Sequence, residues 1–219
     1  MVTFDTESLL SEFAPISRVL NRELSRAVTD VDVALGSGGL DLPVRVYSTP
    51  RTHLTRAVAH RLIGQAEDLR PWELNPFAGP NTPIHLYNGQ GMTTVRVLHA
   101  HVPAFVPSPG SNHTRRAFYV NTPLDSLEAV PALIQQQNFL VLWNEDPHTG
   151  EVNLRLAHTT GIWKHGGEHQ CDLIMDMPSD EEEYFGTRFE PADEDEFDKY
   201  LLPNELEIDE EDGDVGLSS

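Results

Sequence analysis

The chain has 219 residues, 39% of them apolar, and carries 35 acidic against 15 basic side chains for a net charge of −20. That length and apolar share allow one domain with a substantial core, while no apolar run approaches the roughly 18 to 20 residues that a bilayer span needs, which excludes a membrane-spanning helix. So negative a balance also disfavours binding a nucleic-acid backbone through the whole surface.

The first residues, MVTFDTESLL, have neither a basic start nor a continuous apolar stretch, so no secretory signal is expected. Cys171 is the single cysteine and cannot close an internal disulfide, which points to a reducing, cytoplasmic compartment. The glycosylation sequon at Asn112-His113-Thr114 then carries little weight.

In chain order, Ile16, Val19, Leu20, Leu24 and Ala27 recur at spacings of three and four, which predicts a helix over roughly 7–27. Pro15 should start that helix near Ala14 or kink it. DVDVALGSGGLDLP reads as a short strand and a flexible turn, and LPVRVYS (42–48) as a second strand. A helix over 49–69 follows, with Thr49 as its cap, Pro50 at its first position and an apolar stripe of Leu54, Val58, Leu62, Ala66 and Leu69. RPWELNPFAGPNTP reads as an irregular loop held down by Trp72 and Phe77.

From residue 83 the pattern turns to strands: IHLYN, TTVRVLHAHV, RRAFYVN, NFLVLWN, VNLRLAHTT and CDLIMDM. NFLVLWNEDPHTGEVNLRLAH forms the clearest hairpin, turning at Asp146-Pro147 and Gly150, and FLVLW is apolar on both faces, as a central strand would be. TPLDSLEAVPALIQQQ begins a helix at Thr122 and Pro123 that Pro131 must kink or split. The fold class is α+β: an antiparallel or mixed sheet with two or three helices on one face and an acidic C-terminal extension. We place the domain at 1–178 and the extension at 179–219.

No phosphate-binding loop, nucleophile elbow, HExxH or complete dinucleotide fingerprint is present. KHGGEHQCD gathers His165, Glu168, His169, Cys171 and Asp172 within eight residues, and His99 and His101 share one strand face. Imidazole, thiolate and carboxylate are ligands for zinc or a similar divalent metal, so these residues are the candidate ligands, with Glu168 as general base. The unmatched spacing favours scattered histidines instead, and His85 and Tyr87 on one strand face favour packing. Arg51, Arg56, His60 and Arg61 flank the second helix as a basic patch. Helped by Arg115 and Arg116 it would take a phosphate-rich ligand, although a solvated helix face explains it as well.

Residues 180–219 hold 17 acidic side chains against Arg188 and Lys199, a net of −15, which leaves −5 for the rest. Like charges explain a solvated tail but not Tyr184, Phe185, Phe189, Phe197, Tyr200, Leu201 and Leu202 within it. FDKYLL spaces Phe197, Tyr200 and Leu201 as one face of a helix that folds on binding. DEEDGDVG lacks the spacing of a calcium loop. The leading reading is a non-enzymatic binding protein, an inhibitor, regulator or assembly factor, whose acidic segment meets a positively charged protein surface, one version being a nucleic-acid mimic. The alternatives are a metal-dependent hydrolase and a structural component of a larger assembly.

Overall fold

The computed structural model describes residues 6–39, 48–76, 83–88, 93–100, 105–124, 137–146 and 148–178. The chain divides into two units, Met1–Phe189 and Glu190–Ser219, and every described residue belongs to the first. Among the described residues three α-helices accompany one six-stranded mixed sheet, an α+β fold, and no helix is long and apolar enough to cross a membrane.

Helix α1 (Thr6–Ser37) carries Pro15 inside it. Its buried stripe is the one the spacing predicts, from Ile16 to Ala27, and it continues through Val28 and Val31. The segment read as a strand after residue 30 is therefore helix as far as Ser37, because Val31 still has core to face while Val33 points outward. Proline contributes no N–H to the ladder, and in that turn the carbonyl of Glu12 accepts the indole N–H of Trp72 at 3.2 Å.

Helix α2 (Ser48–Ile63) ends before Gly64, and a single 3-10 turn at Glu67–Leu69 replaces the predicted last turns. Its buried face is Thr55, Ala59, Leu62 and Ile63, whereas Leu54 stays 47% exposed. The small Thr55 and Ala59 side chains suit close helix packing better than the Leu54 stripe does, since packed interiors tolerate little excess volume. Residues 40–47, read as a strand, lie outside the described residues.

The sheet runs β1 (Trp72–Leu74), β2 (Ile84–Asn88), β3 (Thr93–His99), β4 (Gln137–Glu145), β5 (Val152–Thr159) and β6 (Cys171–Met177), in that spatial order. All neighbours are antiparallel except β3 and β4, which run parallel. Trp72, expected in a loop, anchors β1: its ring is buried, and Glu73 pairs with Tyr87 of β2. Phe77 lies outside the described residues. The predicted β4–β5 hairpin is present, with the Asp146 carboxylate accepting the His148 and Thr149 N–H groups and Gly150 at φ 73°. Only glycine enters that region of φ at little cost. β4 is an interior strand buried on both faces.

RRAFYVN is not a strand but most of α3 (His113–Tyr119). The side chain of Asn112 caps it by accepting the Arg115 N–H at 3.0 Å, which satisfies one of the donors that a helix start leaves open. The helix expected from Thr122 onward falls on 125–136, outside the described residues.

Two clusters divide the core. On one face α1 and α2 cover Ile84, Leu86, Val95, Phe139, Val141 and Leu156, with Phe13 edge-on to Phe139 at 5.0 Å and tilted on Trp72 at 5.3 Å. On the other, Phe118 and Tyr119 of α3 and Trp163 pack near Leu140, Leu142 and Ala157. Asn121 fixes the exit of α3 to the sheet. Its amide donates to the carbonyls of Asn138 (3.1 Å) and Thr159 (2.8 Å) and accepts the Asn138 N–H (3.1 Å).

Candidate functional site

The proposed metal ligands separate between the two faces. His99 stands edge-on to Trp143 at 4.5 Å, and Trp143 belongs to the helix-covered cluster. His169 faces Trp163 at 6.5 Å and Cys171 packs beside the opposite cluster, while His165 and Glu168 are exposed. Burial pushes the Cys171 thiol up to about 12, with the Asp172 charge adding to it, which disfavours the thiolate form. Burial likewise lowers His169. His101 lies outside the described residues, and among those described no three His, Cys, Asp or Glu side chains come together.

Asp172 has a different partner. His158, fully buried, places Nδ1 2.5 Å from Asp172 Oδ1 and Nε2 2.8 Å from Gln137 Oε1, and Asp172 Oδ2 accepts the Leu124 N–H at 2.8 Å. A carboxylate–imidazole pair is half of a nucleophile-activating set. Here the second nitrogen meets an amide, and no solvent reaches the ring, so the group ties β4, β5 and β6 together.

The basic patch also disperses. Arg51 is 12% exposed and forks between Asp32 of α1 (2.6 Å) and Glu145 of β4 (2.6 Å), and those hydrogen bonds raise its already high pKa. His60 Nε2 lies 3.3 Å from the Asn75 carbonyl oxygen, and Arg61 and Arg116 are exposed. Only Arg56 joins a further basic group. It sits with Nη2 2.6 Å from His53 Nδ1, and its charge bears on Arg96. An open depression of about 1070 Å³ between Gly64 and Glu73 holds none of these residues.

What the sequence reading missed is the centre of a cationic group on the face that α3 covers. Arg96 and His85 are direct cross-strand partners on β3 and β2. The His85 ring stacks on Phe118 of α3 with centroids 5.8 Å apart and planes 17° apart. Arg115 lies one helical turn before Phe118 and Tyr119, which sets all three on neighbouring positions of α3. Burial lowers the pKa of Arg96, and the charges of Arg115 and Arg56 lower it further. Burial beside the Arg96 charge brings His85 down to about 4, which keeps its imidazole neutral near neutral pH. Arg96 Nε and His85 Nε2 are buried without a hydrogen-bond partner among the described residues. Tyr119 is occupied: burial raises it to about 12, and its hydroxyl donates to the Pro107 carbonyl at 2.9 Å. His85 and Arg96 are eleven residues apart in the chain and belong to no motif, so it is the pairing register of β2 and β3 that brings them together.

Tyr184, Phe185, Phe189, Phe197, Tyr200, Leu201 and Leu202 lie outside the described residues. Compared with protein families, with curated proteins and with solved structures, the chain matches none of them.

Proposed function

We propose that the protein is a non-enzymatic binding protein that engages a positively charged protein partner through its acidic C-terminal segment. One observation carries this reading: residues 180–219 concentrate a net −15 of the chain's −20 and intersperse it with aromatic and aliphatic side chains. Charge of one sign steers a partner of the other, and apolar anchors then fix the register. The preceding residues do not share that excess, and their exposed acids are partly spent on ion pairs such as Arg22–Asp68 and Arg155–Asp176. The metal-dependent alternative has no gathered ligand set among the described residues to support it.

The test is a chemical-crosslinking pull-down with the full chain, with Phe197, Tyr200, Leu201 and Leu202 replaced together by Ser, and with a chain ending at Pro178. The partner retained by the full chain is basic and is released as salt rises from about 0.1 to about 1 M, where the screening length falls to about 3 Å. Both altered chains lose it. Retention that ignores salt, or that survives removal of the segment, refutes the proposal; loss on truncation but not on the Ser replacements assigns the binding to charge alone.

A further inference from the structure

Arg96 of β3 and Arg115 of α3 lie on the sheet face that α3 covers, because the His85 ring beside Arg96 stacks on Phe118, one turn after Arg115, and the charge of Arg56 also bears on Arg96. Among the described residues Arg51 has the carboxylates of Asp32 and Glu145 against it, Arg22 that of Asp68 and Arg155 that of Asp176. Arg96 has none among the described residues. The charges that bear on it are two further arginines and the Tyr119 phenol. Burying a guanidinium beside like charges is unfavourable unless an anion completes the arrangement.

Arg96 and His85 are half-buried rather than fully solvated. The Arg96 Nε is buried and unpartnered among the described residues, and so is Nε2 of the cross-strand His85. The His85 ring is clamped flat against Phe118, and α3 is held in turn by the Asn121 bonds to β4 and β5 and by the Tyr119 hydroxyl on Pro107. Arg115, one turn before Phe118, is exposed to solvent.

From this arrangement we infer that the half-buried site formed by Arg96, Arg115 and His85 binds the phosphoryl group of a small phosphate or phosphomonoester. A guanidinium offers paired N–H donors that match phosphate oxygens. A dianion with tetrahedrally disposed oxygens can meet donors arriving from separate elements, whereas a planar monocarboxylate satisfies one guanidinium and leaves the others opposed. His85 Nε2 serves as a further donor once its N–H is placed there. A nearby dianion favours the charged imidazolium, so binding raises the His85 pKa. The body's net −5 does not oppose this, because the local field around Arg96 and Arg115 is positive.

The experiment uses the full chain at constant ionic strength, with inorganic phosphate and phenyl phosphate as probes and acetate as the comparison anion. Affinity is followed by ³¹P line broadening, and the His85 ring by nitrogen-resolved NMR. Phosphate binds in preference to acetate, and the His85 titration moves to higher pH. Arg96→Gln and, separately, the exposed Arg115→Gln each weaken phosphate by about tenfold, the loss of one charge-assisted contact. Arg115→Gln leaves the denaturation midpoint unchanged, so its effect cannot be misfolding. Tighter phenyl phosphate than inorganic phosphate assigns the site to phosphomonoesters, and equal affinity assigns it to the free ion. Equal binding of acetate, an unmoved His85 titration or unaltered affinity in Arg115→Gln overturns the inference.

Discussion

The two faces of the sheet are built from the same strands and differ in what they ask of their side chains. Toward α1 and α2, Phe13, Ile16, Leu20 and Leu24 press on Leu86, Val95 and Val141, an apolar contact stabilised by removal of area from water. Toward α3 the strands offer His85, Arg96 and Asn138 beside Leu140 and Leu142, and hydrogen bonds do much of the positioning. The difference teaches that one face carries the stability of the fold and leaves the other free to hold charge.

That comparison breaks most visibly at Phe13. Its ring touches both Trp72 and Phe139, so Phe13→Ala removes about 3–5 kcal/mol, read as a lower urea midpoint with unchanged slope. At the junction of β4, β5 and β6, Asp172→Ala strands the buried His158 Nδ1 and the Leu124 N–H and costs about 2–3 kcal/mol. Asp172→Asn, which keeps an acceptor, recovers part of it; equal loss in both variants would show that the acceptor is immaterial.

A smaller effect sharpens the character of the charged face. The folded-state pKa of His85 lies below its ordinary value of about 6.5, so its contribution to stability is complete above pH 6.5 and is lost as pH falls toward about 4, where the folded ring also protonates. Unfolding between pH 7 and pH 5 should show a decline on the order of 1 kcal/mol, discounted for solvent screening, that His85→Leu abolishes. A decline of the same size in both proteins assigns it to other groups.

Much of the apolar side was legible in the sequence. Short β-branched and aromatic runs announced β2, β3, β4, β5 and β6, and the three-and-four spacing gave the buried stripe of α1. What stayed hidden depends on partners distant in the chain. β1 is three residues long and exists by pairing with β2, and α3 turns on one side-chain cap that arginine and aromatic residues disguise as a strand. On α2 the larger Leu54 outweighed Thr55 and Ala59 in the pattern, although the small side chains face the core. The pairing of Arg96 with His85 was illegible for the same reason: Arg115 was noted as a helper, but Arg96 and His85 come together only through a register. Arg51 lost its candidacy to Asp32 and Glu145, which lie 19 and 94 residues away.

The parallel pairing of β3 with β4 has a consequence for how this architecture can vary. Two parallel neighbours cannot be joined by a tight turn, so the chain must travel back along the sheet between them. The described part of that return, residues 105–124, packs Val106 and Tyr119 with the cluster opposite α1 and α2. The return path is thus obligatory, and it is anchored to the ladder at Asn121 and Leu124, which bond to β4, β5 and β6. Its exposed positions, such as 113–116, are the ones that can change in composition without disturbing a strand register.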